Sequence, residues 1–346
     1  MKYFASITAI FAAVFFVIKP KVISAAVSTA LSDCLEVIVP SLFAFTVLSI
    51  FLQKSGLYKI ALKPLTFPLS KLLKTDEELC AIFILANIGG YPVGVKLLGE
   101  LVKSGRISRE DAGRMLCCCF GSGPSFIISI AGIHVFGSTA AGLALLGACL
   151  ASSLLMAAIV RLKGKIVLKE PQYELRINSD CFISSVTDGA KVLFTVCAMI
   201  TAFAVISAML REIGVFSLFE RFFSNSEVFP ALLEVTRIKN IKQSAYALPL
   251  CAALLSFGGV CVLLQITALS KGISLKRFLI SRVPAALFSA LAALPLQRFI
   301  KPADIQTIAQ NVAAEPFTKN AILSICVLAM CVILLLNTKF HSVKKL

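Results

Sequence analysis

The sequence lacks tryptophan altogether, has only two histidines and carries few charges. Of its 346 residues, 15% are charged and 58% are hydrophobic, and the mean hydropathy is +0.91. This composition lies far outside the range of soluble globular proteins. We expect an integral membrane protein, in which Tyr3, Tyr58, Tyr173 and basic side chains take the interfacial position that tryptophan usually occupies.

The sequence also lacks the motifs of enzyme and metal chemistry. Its histidines are His134 and His341, and it contains no HExxH, no GxSxG, no Walker loop and no carboxylate pair at helical spacing within an apolar window. Its twelve cysteines include the run Cys117–Cys119 but no CxxC, so we interpret them as small apolar residues. We therefore expect no enzyme, no metal site and no cofactor.

Long apolar windows fill most of the chain. The windows without Asp, Glu, Lys or Arg are Tyr3–Ile18, Val37–Gln53, Leu79–Val95, Met115–Val160, Val192–Leu210, Gln243–Ser270, Val283–Gln297 and Asn320–Thr338. A membrane-spanning helix needs about 20 apolar residues, and the longest window holds two passes. The sequence therefore predicts an all-α polytopic membrane protein with roughly eight to ten segments.

The basic residues that produce the net charge of +16 lie mostly in short connections between these windows. That distribution is typical of loops facing anionic lipid, and no soluble domain remains to present a basic face to nucleic acid. We expect membrane lipid and not nucleic acid as a partner. The bias gives a weak preference for a cytoplasmic N-terminus and a cytoplasmic Arg161–Arg176 loop.

Two apolar segments are interrupted by glycine and proline, Asn87–Lys96 and Phe120–Ser125. Gly costs about 1 kcal/mol and Pro about 3 kcal/mol in a helix interior. Within a bilayer, interrupted backbone is tolerated only where it is buried in protein or lines a cavity. We predict a hairpin that descends from Leu79 to Ile88 and returns through Val93–Val102, followed by a helix capped by Ser108.

The two sides of the polar loop 161–180 resemble each other weakly. Leu48-Ser49 and Gly56 match Ile206-Ser207 and Gly214 at a constant spacing, and Gly89-Gly90 matches Gly258-Gly259. We therefore divide the chain into an N-terminal membrane half (1–160), a connecting loop (161–180) and a C-terminal membrane half (181–346). Paired broken segments are typical of transporters built from inverted repeats, with the site at the repeat interface, although chance glycine pairs remain an alternative.

The candidate substrate-binding residues lie at or near these breaks, where half-helix ends leave backbone N–H groups that favour anions. They are Asn87, Gly89, Gly90, Tyr91, Pro92, Lys96, Ser122, Gly123, Pro124, Ser125, Ser256, Gly258, Gly259 and Gln265. The polar members either bind solute or satisfy freed backbone groups and hold helices together. Lys96 is either an interfacial residue or a counter-charge for an anion, and Glu100 is placed to pair with it. Asp188 and Lys191 are expected to cap a helix or to reach the interface.

Several of these motifs together resemble a known family. The segments are Asn87–Lys96, Gly105–Ser108, Ser122–Ile128, Ser256–Gly259 and Lys276–Arg282. They look like those of the YlbJ-type sporulation integral membrane proteins, which carry a nucleoside-recognition (Gate) domain, here at about residues 40–160. The resemblance covers about Leu31 to Arg282, and its specific parts are the Gly-Tyr-Pro-Val-Gly and Gly-Pro segments.

The resemblance implies a multi-pass protein of the cell membrane, or of the forespore membrane in a sporulating organism, associated with dipicolinate movement. In that family a polar residue such as Asn tends to precede Ser-Gly-Pro, whereas Phe120-Gly121 stands here. A different substrate therefore remains open.

The sequence leaves three functions open. The leading hypothesis is a transporter or facilitator for a small anionic or nucleoside-like solute. The alternatives are a non-transporting scaffold of a sporulation or envelope complex, and a nucleoside or metal-ion permease. Homo-oligomerisation is left open.

Overall fold

The structure is a computed structural model that describes residues 2–162, 164–166, 168–169, 178–220, 226–270 and 272–298. The chain divides into two units, Met1–Lys301 and Pro302–Leu346. The last apolar window, Asn320–Thr338, the connection that precedes it from residue 299 on, and Tyr173 lie outside the described residues.

The described residues form helices and no strand. The helices are α1 (Lys2–Ile18), α2 (Pro20–Ser55), α3 (Tyr58–Ala61), α4 (Lys63–Leu73), α5 (Glu77–Gly89), α6 (Tyr91–Lys103), α7 (Arg109–Leu116), α8 (Pro124–Val135), α9 (Thr139–Leu162), α10 (Ser179–Glu212), α11 (Val215–Glu220), α12 (Val228–Leu233), a 3-10 helix (Val235–Asn240), α13 (Ala247–Phe257), α14 (Gly259–Leu269) and α15 (Lys276–Gln297).

Five helical segments in the described part of the chain are long and apolar enough to cross a membrane. They are α2, α9, α10, α15 and the consecutive pair α13 and α14. The predicted all-α polytopic membrane fold is therefore confirmed.

Two details differ from the expectation. The window Met115–Val160 holds one full-length helix, α9, and only a short one, α8, because the chain leaves helical structure between Leu116 and Pro124. The apolar window Val37–Gln53 is part of a longer helix, α2, which begins at Pro20. A π-helical turn at Cys34–Ile38, just before Pro40, lets the helix continue without a break.

The predicted helix start at Ser108 is confirmed, and α5 begins with two acidic residues. The side chain of Ser108 accepts a hydrogen bond from the backbone N–H of Asp111 and caps α7. Glu77 and Glu78 occupy the first turn of α5, where acidic side chains complement the helix dipole.

One end of the helix bundle, called here the Arg106 end, is defined by two contacts. Arg106, just beyond α6, forms an ion pair of 2.6 Å with Glu78 at the start of α5. The backbone N–H of Ser274, just before α15, donates to the carbonyl of Arg109 at the start of α7 (3.0 Å).

The opposite end, called the Lys19 end, is defined by two others. Lys19 at the start of α2 forms an ion pair of 3.0 Å with Glu212 at the end of α10. The Nε2 of Gln243, before α13, donates to the carbonyl of Val135 at the end of α8 (2.8 Å).

The helices of the N-terminal half run between these two ends of the bundle in a regular order. Helices α5 and α6 form a hairpin that enters from the Arg106 end, turns at Gly89-Gly90 and returns to the same end. The broken helix α7–α8 then runs from the Arg106 end to Val135 at the Lys19 end. Helix α9 returns, since the side chain of Arg114 on α7 donates to the carbonyl of Val160 (3.1 Å).

The C-terminal half shows the same order in the opposite direction. Arg211 in the last turn of α10 pairs with Glu227 at the start of α12 (3.7 Å), which places that start at the Lys19 end. From there α12 and the 3-10 helix form a second hairpin with Glu234 at its turn. The broken helix α13–α14 then runs to the Arg106 end, and α15 returns to the Lys19 end.

This order changes the expected correspondence between the halves. Gly258-Gly259 lies at the interruption of α13–α14 and corresponds to the loop 117–123 of α7–α8, not to Gly89-Gly90. The hairpin that corresponds to Gly89-Gly90 turns at Glu234, which no glycine marks. The polar turns 104–108 and 272–274 both lie at the Arg106 end.

Candidate functional site

Three interruptions of the helices meet inside the bundle. Gly90, Gly123 and Gly258 have φ angles of +90°, +80° and +89°, which L side chains rarely adopt. A Cβ on Gly123 would lie 3.4 Å from the Cα of Gly90, and a Cβ on Gly258 would lie 3.5 Å from the ring of Tyr91. Glycine is therefore required here for both the backbone conformation and the close approach.

An aromatic cluster joins the two halves at this meeting point. The ring centroids of Tyr91 and Phe120 are 4.7 Å apart, and those of Phe120 and Phe278 are 5.1 Å apart. The hydroxyl of Tyr91 donates to the carbonyl of Leu255 (2.7 Å), in the last turns of α13. A Cβ on Gly258 would lie 2.6 Å from the Phe120 ring, so the cluster leaves no room for a side chain there.

Arg282 is the charged residue at the centre of this cluster, and it is 2% exposed. Its guanidinium carbon lies 4.5 Å from the centroid of Phe120 and 4.7 Å from that of Phe278. It donates to the carbonyls of Ser256 (3.4 Å) and Cys117 and to the hydroxyl of Ser281 (3.0 Å).

The electrostatic balance around Arg282 is incomplete. The two carbonyls lie at the C-terminal ends of α7 and α13, the negative ends of the helix dipoles. Within the described ranges, no carboxylate lies within ion-pair distance of Arg282, and its Nε has no hydrogen-bond partner. A buried arginine without a carboxylate is costly in a membrane and usually marks a functional site.

The structure gathers most of the sequence-predicted residues around this point. Asn87 donates from Nδ2 to the carbonyls of Phe83 (2.8 Å) and Cys118 (3.3 Å), so it ties α5 to the end of α7. The residues at the three interruptions are Gly89, Gly90, Tyr91, Pro92, Ser122, Gly123, Pro124, Ser125, Ser256, Gly258 and Gly259. Their binding of a substrate stays a prediction.

Two buried hydroxyl groups lie near the hairpin tip, those of Ser122 and of Thr46 on α2. The Thr46 hydroxyl has no hydrogen-bond partner among the residues that the structure describes, and the Ser122 hydroxyl interacts with that of Tyr91. Thr46 lies between Leu42 and Ser49 on a face of α2 that packs against the tip, since Leu42 and Ser49 would meet a Cβ on Gly90 and Gly89 respectively. These hydroxyls add donors to the same region.

Gln265 and Lys96 lie away from the meeting point. Gln265 is buried within α14, where its Nε2 donates to the Sγ of Cys261 (3.3 Å). Lys96 forms ion pairs of 3.2 Å with both Glu100, as expected, and Asp188. A lysine balanced by two carboxylates is a weaker counter-charge for a solute than Arg282.

Asp188 does not cap a helix. Helix α10 begins at Ser179, and the side chain of Asn178 caps it by accepting from the backbone N–H of Cys181 (2.9 Å). Asp188 therefore lies inside α10, where it also pairs with Lys54 on α2 (2.9 Å).

Glu234 is a second buried charge, 3% exposed, at the turn of the C-terminal hairpin. Its carboxylate accepts from the backbone N–H (2.9 Å) and the hydroxyl of Thr236. The turn lies between membrane-spanning helices in the sequence and not within one of them. Burial raises the pKa of the Glu234 carboxyl, while the hydrogen bonds from Thr236 act in the opposite direction.

Sequence reasoning did not select Arg282 or Glu234. Glu234 lies between Leu233 and Val235, and an isolated charge with apolar residues on both sides is a signal that could have identified it. Arg282 follows Ser281 at the border of the apolar window that begins at Val283, so its sequence pattern is also that of an interfacial residue.

A polar cleft of about 410 Å³ opens at the Arg106 end. It is lined by both signs of charge, including Lys59, Lys63, Arg106, Asp76 and Glu77. The cleft lies outside the meeting point of the three interruptions.

Comparison with known proteins finds sequence similarity to a curated protein. Over 170 residues it is 29% identical to the sporulation integral membrane protein YlbJ of Bacillus subtilis (strain 168). This chain is similar to a sporulation integral membrane protein. The aligned stretch covers 48% of this chain and 40% of the length of that protein.

No family model and no solved structure matches the chain. The similarity and the five apolar helices support a multi-pass membrane protein. The nucleoside-recognition domain, the solute and the residues that bind it stay predictions.

Proposed function

We propose that the protein is a transporter or facilitator that moves a small anionic solute across the membrane, with Arg282 as the residue that recognises the anion. The observation that carries this proposal is the burial of Arg282 without a carboxylate partner, where the broken helices of both halves meet. Broken helices of two oppositely directed repeats are the usual location of a transporter site.

The geometry supports an anionic solute for a physical reason. The guanidinium is the planar donor that binds carboxylates best, often through two parallel hydrogen bonds. A solute carboxylate would supply the negative charge that Arg282 lacks, and the rings of Phe120 and Tyr91 would contact an apolar or aromatic body. An aromatic dicarboxylate such as dipicolinate, implied by the family resemblance, fits this chemistry.

The same geometry supports a coupling between binding and movement. Arg282 holds Cys117 of the N-terminal half and Ser256 of the C-terminal half through their carbonyls. A carboxylate that takes over these donors would release the connection between the halves. Binding would then favour a rearrangement of one broken helix against the other.

The test is uptake of radiolabelled dipicolinate by proteoliposomes. We expect Arg282→Gln to reduce uptake about tenfold or more, because a hydrogen bond to a charged group contributes about 1.5–3 kcal/mol. Arg282→Lys should retain part of the activity. Arg277→Gln is the matched control, since Arg277 is exposed on the same helix, and it should behave as wild type.

A thermal-shift series on the purified protein provides a second measurement. Dipicolinate should raise the melting temperature of the wild type but not of Arg282→Gln. Stabilisation by nucleosides or divalent metals instead would refute the anionic substrate. Absence of any solute effect, together with a stable partner on co-purification, would favour the scaffold function over transport.

A further inference from the structure

A second buried charge lies on the other side of the Gly258-Gly259 interruption from Arg282. A Cβ on Gly259 would lie 3.2 Å from the backbone N of Val235, the residue that follows Glu234. The adjacent Gly258 packs on Phe120, and Phe120 lies under the guanidinium of Arg282. The hairpin turn with Glu234 and the proposed anion site are therefore connected through two consecutive glycines.

Glu234 forms no ion pair within the part of the chain that the structure describes. Lys239, on the 3-10 helix that follows Glu234, is paired with Asp33 on α2 at 2.7 Å. Arg237 acts on Glu234 from the 3-10 helix but forms no ion pair with it. Both hydrogen bonds to the carboxylate come from Thr236, a neutral residue.

The other titratable groups on the elements packed around this turn form no ion pair with Glu234. Each packed element contributes one or two. They are Asp33 and Cys34 on α2, Tyr91 on α6, the exposed His134 on α8, Glu227 on α12 with its partner Arg211, Cys251 on α13 and Cys261 on α14.

These observations favour a group that changes its protonation state. An ionised carboxylate that is buried and forms no ion pair is penalised by desolvation, whereas the neutral acid is not. A metal ion would need several oxygen ligands, and in the described ranges no cluster of three or more acidic, histidine or cysteine side chains is available for one. A proton needs only the carboxylate.

We infer that Glu234 binds and releases a proton during the transport cycle, so that the anion moves together with a proton. This inference rests on the proposed function. Protonation converts the carboxylate to a neutral acid at the hairpin turn and so alters the packing of the turn on Gly259. Gly258 packs directly against the aromatic cluster around Arg282. Binding of the anion at Arg282 and binding of the proton at Glu234 therefore both act on the interruption of α13–α14.

The experiment compares two modes of transport in proteoliposomes with radiolabelled dipicolinate. Net accumulation is driven by a pH gradient, acidic outside. Equilibrium exchange is measured at equal pH on both sides and needs no net proton movement. We expect Glu234→Gln, whose amide still accepts from the N–H of Thr236, to lose pH-driven accumulation at least tenfold and to keep exchange within twofold of wild type. Glu212→Gln is the control, since Glu212 is partly exposed at the Lys19 end.

The outcomes separate the two proposals. Absence of exchange in the wild type refutes the anion-transport function and the coupling with it. Exchange in the wild type without any accumulation driven by the pH gradient, or accumulation driven by sodium instead, refutes the coupling alone. Accumulation by Glu234→Gln equal to that of wild type does the same.

An infrared titration of the purified protein tests Glu234 without any solute. On acidification, the wild type should gain the C=O stretching band of a protonated, buried carboxylic acid. Glu234→Gln should lack that component, and Glu212→Gln should retain it. Identical spectra of wild type and Glu234→Gln across the titration would overturn the inference.

Discussion

At the residue scale, the close packing of α6 on the loop after α7 depends on a missing side chain. A Cβ on Gly94 would overlap the carbonyl oxygen of Cys119. A backbone carbonyl cannot rotate aside as a flexible side chain can. Gly99, later on the same helix, has open space at the position of a Cβ. Alanine substitution at the two positions therefore distinguishes the effect of close packing, at Gly94, from the effect of helix propensity, at Gly99.

We expect Gly94→Ala to lower the stability of the protein by about 1–3 kcal/mol, the usual cost of overpacking. Gly99→Ala should be neutral or should stabilise the helix by about 0.5–1 kcal/mol. The measurement is the melting temperature of each purified variant in detergent. A Gly94→Ala variant that melts at or above the wild-type temperature would show that α6 does not approach the loop this closely.

Arg282 and Glu234 show why the most important charges were missed. Each is buried by contacts from elements distant in sequence: Phe120 and Cys117 surround Arg282, and Gly259 lies against the turn of Glu234. A charge at the border of an apolar window has the same sequence pattern whether it faces the interface or the interior. Only the tertiary contacts distinguish the two.

At the element scale, the interruptions were predictable and their correspondence was not. Gly89-Gly90 and the Gly-Pro segment at 123–124 disrupt helices through local chemistry, which the sequence carries directly. The hairpin at Glu234 contains no glycine at its turn and combines a six-residue α12 with a 3-10 helix. Its apolar residues are too few and too irregular for a periodic signal, so Gly258-Gly259 was matched to the wrong segment.

The contact of α6, α2 and α10 is held by a small network of charges. Asp188 on α10 serves both Lys54 on α2 and Lys96 on α6. Lys96 has a second partner in Glu100, whereas Lys54 has none among the ion pairs of the described residues. Asp188 is therefore the member on which the network depends.

We expect Asp188→Asn to destabilise the protein more than Lys96→Gln, because it leaves two partly buried lysines without their common partner. Thermal melting of the two single variants and the double variant measures this as a cycle. The double variant should melt above the temperature expected from adding the two single losses. If Lys96 were instead a counter-charge for the solute, Lys96→Gln would reduce uptake and leave the melting temperature unchanged.

At the scale of the whole molecule, the fold sorts the basic residues by end, which the sequence alone could not do. The described basic residues near the Arg106 end include Lys54, Lys59, Lys63, Lys71, Lys74, Lys103, Arg106, Arg109, Arg161, Lys165, Lys169, Lys276 and Arg277. Those near the Lys19 end are Lys19, Lys21, Arg211, Lys239, Lys242 and Arg298. The excess lies at the Arg106 end.

Short cytoplasmic loops of membrane proteins carry an excess of Lys and Arg, so we expect the Arg106 end to face the cytoplasm. The exposed residues Ser104 and Tyr246 mark the two ends, since Ser104 lies beside Arg106 and Tyr246 lies between Gln243 and α13. Ser104→Cys and Tyr246→Cys can be labelled with a membrane-impermeant maleimide on intact cells, with the unsubstituted protein as the background for its native cysteines.

Tyr246→Cys should react with the maleimide on intact cells, and Ser104→Cys should react only after permeabilisation. The opposite pattern would place the Arg106 end outside and would show that the basic loops do not determine the orientation. Equal labelling of both variants on intact cells would mean that the chain inserts in both directions. In that case the pH gradient in the proteoliposome experiments would act on a mixed population, and each orientation would have to be measured separately.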